Sequence, residues 1–173
     1  MKKLIIAIVA LTMGMAANAQ AFVGGTLGVD VTHVSTEAGG SATQTVFQIA
    51  PEIGYNINKT WAVGAQVGYG LKSVEGESVN NVRIMPYVRA TFASASIVDF
   101  FGELGAGYAY QSYEGNDASG FAMELRPGMA INLTPSFALI ARTTLLGFEH
   151  WDHVNAVEFA LNKSFELGVS VKF

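Results

Sequence analysis

The sequence predicts an all-β fold: an eight-stranded antiparallel up-and-down transmembrane β-barrel. Three observations carry this. First, the closing stretch from Phe165 to Phe173 alternates strictly, with Phe165, Leu167, Val169, Val171 and Phe173 apolar and Glu166, Gly168, Ser170 and Lys172 between them. A period of two makes a strand with one apolar face. Second, mean hydropathy is +0.33 and only 14% of residues are charged, against about 25% in soluble domains. Yet beyond residue 19 no apolar run approaches the ~20 residues of a spanning helix. Lipid cannot satisfy a free sheet edge, so a closed barrel is the remaining way across. Third, the chain holds eight alternating segments, and an even number brings both termini to one side.

Before the barrel, residues 1–19 read as a secretory signal peptide. Met1-Lys2-Lys3 is a short positive start, Leu4 to Met15 an apolar run too short to span, and Ala17-Asn18-Ala19 a small-x-small cleavage site. The expected cut is before Gln20, leaving 20–173 as the barrel domain. The chain has no cysteine. That excludes a disulfide framework and a lipid anchor on cysteine, so burial and ring closure must hold the fold.

The first strand, about Phe22–His33, turns Val23, Leu27, Val29 and Val31 outward and Thr26, Gly28, Asp30 and Thr32 inward. The second, about Gln44–Tyr55, has Phe47, Ile49, Ile53 and Tyr55 out and Gln48, Glu52 and Gly54 in. The third, about Trp61–Leu71, has Trp61, Val63, Val67, Tyr69 and Leu71 out and Gly64, Gln66, Gly68 and Gly70 in. The fourth, about Asn81–Phe92, has Val82, Ile84, Val88 and Phe92 out and Arg83, Tyr87, Arg89 and Thr91 in. The fifth, about Phe100–Tyr110, has Leu104, Ala106, Tyr108 and Tyr110 out and Glu103, Gly105 and Gly107 in. The sixth, about Phe121–Leu133, has Met123, Leu125, Met129 and Ile131 out and Glu124, Arg126, Gly128 and Asn132 in. In the seventh, about Phe137–Phe148, an inward Arg142 sends Leu139, Ala141 and Leu145 outward and leaves Ile140 and Leu146 facing in. The eighth, about Ala156–Phe173, keeps its odd positions outward and apolar, interrupted only by Lys163. Each is near the ~9–11 residues a tilted strand needs.

The connections alternate in length. Asn56–Thr60, Ala93–Asp99 and Thr134–Ser136 are short; Val34–Thr43, Lys72–Asn80, Gln111–Gly120 and Glu149–Asn155 read as longer polar loops. Aromatic residues collect at both ends of the strands: Phe22, Tyr55, Trp61, Phe92, Phe100, Phe137 and Phe173 at one, Tyr69, Tyr108, Tyr110, Phe121 and Phe148 at the other. Amphipathic rings prefer the interfacial layer, so these read as two girdles. Pro51, Pro86 and Pro127 recur at like places in strands two, four and six. A proline gives the ladder no donor, so each is expected at a bulge or bend low in the wall.

The motifs Gly24-Gly25-x-Leu27-Gly28, Pro51-Glu52-x-Gly54-Tyr55, Pro86-x-Val88-Arg89 and Gly105-x-Gly107-Tyr108, with the terminal Phe173, extend over nearly the whole chain after the signal peptide. In these the sequence resembles the small outer-membrane β-barrel family of the OmpX and OmpA-transmembrane-domain type. The resemblance implies a Gram-negative outer membrane, termini and short turns in the periplasm, and long loops outside. It implies that Phe165, Leu167, Val169, Val171 and Phe173 form the signal read by the barrel-assembly machinery. Implied partners are membrane lipid, that machinery and periplasmic chaperones in transit, and a ligand at the surface loops; a monomer is expected. The sequence ends at Phe173, so the peptidoglycan-binding domain of full-length OmpA is not expected.

An eight-stranded barrel has an interior just wide enough for side chains. The inward charges are Glu52, Glu103, Glu124, Glu158 and Glu166 against Arg83, Arg89, Arg126 and Arg142. They read as a salt-bridged plug, with a polar conduit as the competing reading and the inward glycines making room for arginine side chains. The external loops carry Glu37, Glu75, Glu77, Glu114, Asp117, Glu149 and Asp152 against Lys72, an acidic surface that disfavours nucleic acid and other polyanions. No cofactor or metal set is evident; His150 and His153 lack a third convergent ligand. His33, Ser35 and a carboxylate, Glu37 or Asp152, are the raw material of a hydrolase such as a lipid A deacylase. No nucleophile elbow or oxyanion donor accompanies them. The expected function is therefore a structural or surface-interaction barrel that is not an enzyme; a lipid A-modifying hydrolase and a small-solute channel are the alternatives.

Overall fold

Alternating apolar and polar positions make strands, and a ring of strands leaves no edge in lipid. A computed structural model of the chain describes residues 21–35, 41–74, 77–113, 116–151, 154–159 and 164–173. The strands are β1 (Ala21–Ser35), β2 (Ser41–Asn56), β3 (Trp61–Val74), β4 (Glu77–Ala95), β5 (Val98–Tyr113), β6 (Asn116–Thr134), β7 (Phe137–Thr143), β8 (Leu146–Trp151), β9 (Val154–Phe159) and β10 (Ser164–Lys172). β7 and β8 together make one wall, as do β9 and β10. Eight antiparallel walls result, and the ring closes where β1 pairs with β10 from Phe22↔Lys172 to Asp30↔Ser164.

The two faces separate as the alternation predicts. Leu27, Ile84, Leu104 and Leu167 stand exposed on the outside, while Thr26, Glu52, Gln66, Arg126 and Glu166 are buried inside. Trp61, Phe92, Phe100 and Phe173 are exposed at the end that carries both termini, and Tyr69, Tyr108, Tyr110 and Phe121 at the far end. Phe22 departs from its predicted place in the girdle. It is 1% exposed, because its even position puts it on the same inner face as Thr26.

The far-end loops are a larger correction. Pairing continues to Ser35↔Ser41, Val74↔Glu77, Tyr113↔Asn116 and Trp151↔Val154, so most of the residues read as loops are strand. β4 and β6 reach 19 residues each, about twice what a tilted span needs. The sequence there is polar and shows no alternation, although the ladder continues. At the terminal end the turns are short, as expected. Asn58 Oδ1 accepts from the backbone N–H of Thr60 and of Trp61, both at 2.8 Å, which fixes the β2–β3 turn.

Of the three prolines, Pro127 faces a bulge, whereas Pro51 and Pro86 do not. Pro51, Pro86 and Pro127 each pair in register with the preceding strand, to Gly25, Ala65 and Gly102. In an antiparallel ladder a residue's N–H and C=O face the same neighbour. Here the missing donors face the following strand, and pairing lapses there. After Pro51 and Pro86 it resumes without a register shift, so neither marks a bulge. Two register shifts fall away from the prolines, at Thr91/Ala93 and Asn132/Thr134. Opposite Pro127 the facing wall takes an extra residue between Arg142, paired with Gly128, and Leu146, paired with Leu125. That insertion, at Thr144–Leu145, reverses the parity of the upper wall. Leu146, expected inside, is exposed outside at 41%.

Candidate functional site: the charged interior

Alternation along β4, β5 and β6 brings three charges to one level, because Arg89 pairs in register with Glu103 and Glu103 with Arg126. Opposite charges side by side on neighbouring strands attract directly. Arg89 Nη2 lies 2.6 Å from Glu103 Oε1, and Arg126 Nη2 3.1 Å from Glu103 Oε2. On the facing wall Arg142 pairs in register with Glu166, Nε to Oε2 at 2.8 Å. Arg142 also crosses the lumen, with Nη1 2.8 Å from Glu52 Oε2 and 3.2 Å from Glu103 Oε2. Thr26 and Gln66 complete the belt. Thr26 Oγ1 donates to Glu166 Oε2 at 2.6 Å, and Arg126 Nη1 donates to Gln66 Oε1.

Three arginines thus face three glutamates, and the belt is neutral. The side chains of Glu52, Glu103 and Arg142 are 0% exposed, so no water-sized sphere reaches them. Ion pairs taken out of water are tolerable only when geometry and hydrogen bonding replace hydration, as they do around Arg142, whereas Nε and Nη2 of Arg126 make no hydrogen bond among the described residues and rely on the nearby Glu103 charge. A second tier lies toward the far end. Arg83 bonds Glu124 at 2.7 Å and Glu149 at 2.5 Å, and Glu124 approaches Arg126 at 3.8 Å.

Toward the termini the belt rests on rings. The Arg89 guanidinium carbon lies 4.5 Å from the Phe101 ring centroid and 5.3 Å from that of Phe22. Three inward glycines, Gly54, Gly64 and Gly128, seat rings, whereas Gly28 lies against Glu166 and Gly68 against Gln48. A Cβ on Gly64 would come within 2.6 Å of the Tyr87 ring, and one on Gly128 within 2.6 Å of the Phe101 ring.

Of the predicted interior charges, Glu52, Arg83, Arg89, Glu103, Glu124, Arg126, Arg142 and Glu166 all join this ladder. Glu158 pairs in register with Gly147, but its side chain lies outside the described residues. Glu149, read as a loop residue, belongs to the second tier, because the insertion before Leu146 puts it on the inner face with Ala122. Sequence reasoning gave Thr26, Gln66 and Phe22 no role in the network, although each has inward parity.

The rim candidates fall largely outside the described residues. His33 and Ser35 lie in β1, opposite Thr43 and Ser41; their side chains, and Glu37 and Asp152 altogether, lie outside the described residues. His150, expected in a loop, is an exposed residue of β8 paired with Phe121. Among the described residues no three His, Cys, Asp or Glu converge as a metal-binding group.

Residues 4–173 match a family described as outer membrane protein beta-barrel domain. No curated protein sequence matches. Among solved structures, the chain is similar to neisserial surface protein A, with a TM-score of 0.58 and 20% identity over 90% of this chain and 98% of that one. It is also similar to the attachment invasion locus protein of Yersinia pestis, with a TM-score of 0.52 and 16% identity over 89% and 99%. That second protein has also been solved in complex with the heparin analogue sucrose octasulfate; this form has a TM-score of 0.53 and 18% identity over 89% and 99% of the two chains. At these identities the likeness is one of fold.

Proposed function

The chain belongs to the outer-membrane β-barrel family, and on that premise we propose that it is a monomeric surface-interaction barrel which presents acidic hairpins outside a Gram-negative cell. The observation that carries this is the asymmetry of the strands about the two girdles. At the terminal end Trp61 opens β3 directly after the turn, whereas beyond Tyr69 pairing continues to Val74↔Glu77. Five further residues rise about 16 Å along the strand. Short turns with the termini in the periplasm, and the raised end outside, fit this shape.

The raised end is acidic. Glu77 and Asp117 lie in its strands, and Glu37, Glu75, Glu114 and Asp152 lie in the segments between. Such a rim repels polyanions and favours a cationic partner surface. Protein embedded in lipid nanodiscs should therefore be retained on an immobilised lysine-rich peptide, with retention lost on adding salt, and should pass over immobilised heparin. Retention on heparin instead would reject this reading.

The route to the membrane is the expected one: signal-peptide cleavage before Gln20, escort by periplasmic chaperones, and insertion by the assembly machinery reading Phe165 to Phe173. The reading also holds the barrel to be non-catalytic. Lipid A from cells producing the protein should keep all its acyl chains by mass spectrometry. Loss of an acyl chain that depends on Ser35 and His33 would make the protein an esterase.

A further inference from the structure

Beneath the charged belt the lumen opens at the terminal end into a cavity of about 490 Å³. Arg89, Phe22 and Phe101 line it together with Asp99, Lys172 and, from the β2–β3 turn, Lys59. Lys59 and Lys172 therefore bring two cations to the cavity against one carboxylate, beside Arg89, whose charge the belt glutamates already balance. That carboxylate is already engaged: Ser94 Oγ donates to Asp99 Oδ1 and Asn132 Nδ2 to Asp99 Oδ2, each at 2.6 Å.

The cations hold donors in reserve. Arg89 directs Nε and Nη2 at Glu103 and Glu52, and its Nη1 makes no hydrogen bond among the described residues. Of the three Lys172 donors one is used, on Asn132 Oδ1 at 3.1 Å. Lys59 has no partner among the described residues. Low-dielectric walls around like charges concentrate the field within a cleft. The apolar surfaces of Phe22, Phe101 and Ile140 add a carbon-binding wall beside the charges.

We propose that this cup binds a small organic anion, a solute with a carboxylate or phosphate group on a short carbon skeleton, taken from the side on which both termini lie. The cup and the raised hairpins sit at opposite ends of a barrel whose middle is sealed by the belt. The two activities are therefore separate, and either can fail without the other.

Binding to the folded barrel in detergent is followed by isothermal titration calorimetry while succinate, glucose 6-phosphate or glucose is added at constant ionic strength. The expected result is a saturable heat with succinate, with glucose 6-phosphate or with both, and none with glucose. The anion that titrates identifies the group bound. Adding Lys59→Gln and Lys172→Gln should weaken binding by about tenfold, with the heat-modifiable gel shift of the folded barrel retained. Loss of that gel shift in the double variant would instead show that these lysines hold the fold and overturn their assignment as ligand donors. No saturation below about 10 mM, a concentration typical of only the weakest specific sites, would overturn the proposal. Equal response to glucose, or unchanged affinity in the folded double variant, would do the same.

Discussion

Arg142 and Glu52 lie 90 residues apart and on walls that do not touch, yet Nη1 meets Oε2 at 2.8 Å with neither side chain exposed. Arg142 is also the only residue of the belt that touches all three glutamates, Glu52, Glu103 and Glu166. Arg142→Met should therefore destabilise the barrel by about 3–5 kcal/mol, the usual result of stranding buried charge. Glu52→Gln should cost less, because Arg142 keeps two carboxylates. Urea titration of the barrel in detergent, read by tryptophan fluorescence, measures both; equal midpoints for Arg142→Met and the parent would contradict the arrangement.

Ser96 opens the two-residue turn between β4 and β5 with φ of 55°, a conformation that favours glycine. Ser96→Gly should stabilise the barrel by about 1 kcal/mol, and Ser96→Val should destabilise it. The same titration should show midpoints moving in opposite directions.

Gly64 and Gly102 offer a matched comparison. A Cβ at Gly64 meets the Tyr87 ring at 2.6 Å and the Ile53 carbonyl oxygen at 2.9 Å, whereas one at Gly102 meets nothing within 4 Å. Gly64→Ala should cost about 1–3 kcal/mol through overpacking, and Gly102→Ala should be close to neutral. Similar losses at both would mean that backbone freedom, not ring seating, requires the glycines.

Phe173 donates its backbone N–H to Ala21 O at 2.9 Å and leaves its ring exposed. Its removal takes one bond from the closing seam and should barely change the stability of refolded protein. Insertion in cells should nevertheless fall sharply, because an exposed ring is available to a receptor. Normal membrane yield after the deletion would count against its role as an assembly signal.

With Glu52, Glu103 and Arg142 unreachable by water, planar bilayers containing the protein should show no steady conductance. A stable conductance that disappears on changing Arg89 or Glu103 would instead favour a channel.

The inward and outward faces were legible because lipid forces strict alternation on every residue it touches. That is why Arg89, Glu103, Arg126, Arg142 and Glu166 could be placed inside from parity alone. The residues between Lys72 and Asn80 read as a loop because their order is polar and lacks an apolar face, and nothing in it marks the pairing that persists. Leu146 was assigned to the wrong face because one inserted residue, which leaves no compositional trace, inverts everything after it. Glu149 was misplaced with it. Which charges meet across the lumen depends on the stagger of the ring, and no single strand contains that information.

The distribution of the belt over the chain bears on how the barrel enters the membrane. Glu52 comes from β2, Arg89 from β4, Glu103 from β5, Arg126 from β6, Arg142 from β7 and Glu166 from β10. The β4–β5 hairpin can neutralise itself through Arg89 and Glu103, but a partly inserted sheet ending before β7 holds Glu52 with its closest partner still to come. Crossing hairpin by hairpin would carry a bare carboxylate into hydrocarbon, so insertion should be a late, concerted event: tilt, closure and charge pairing occur together, with no stable half-barrel on the way. The sequence separation that makes the interior slow to complete also commits the chain, because once Arg142 is in place no single wall can withdraw without breaking the rest.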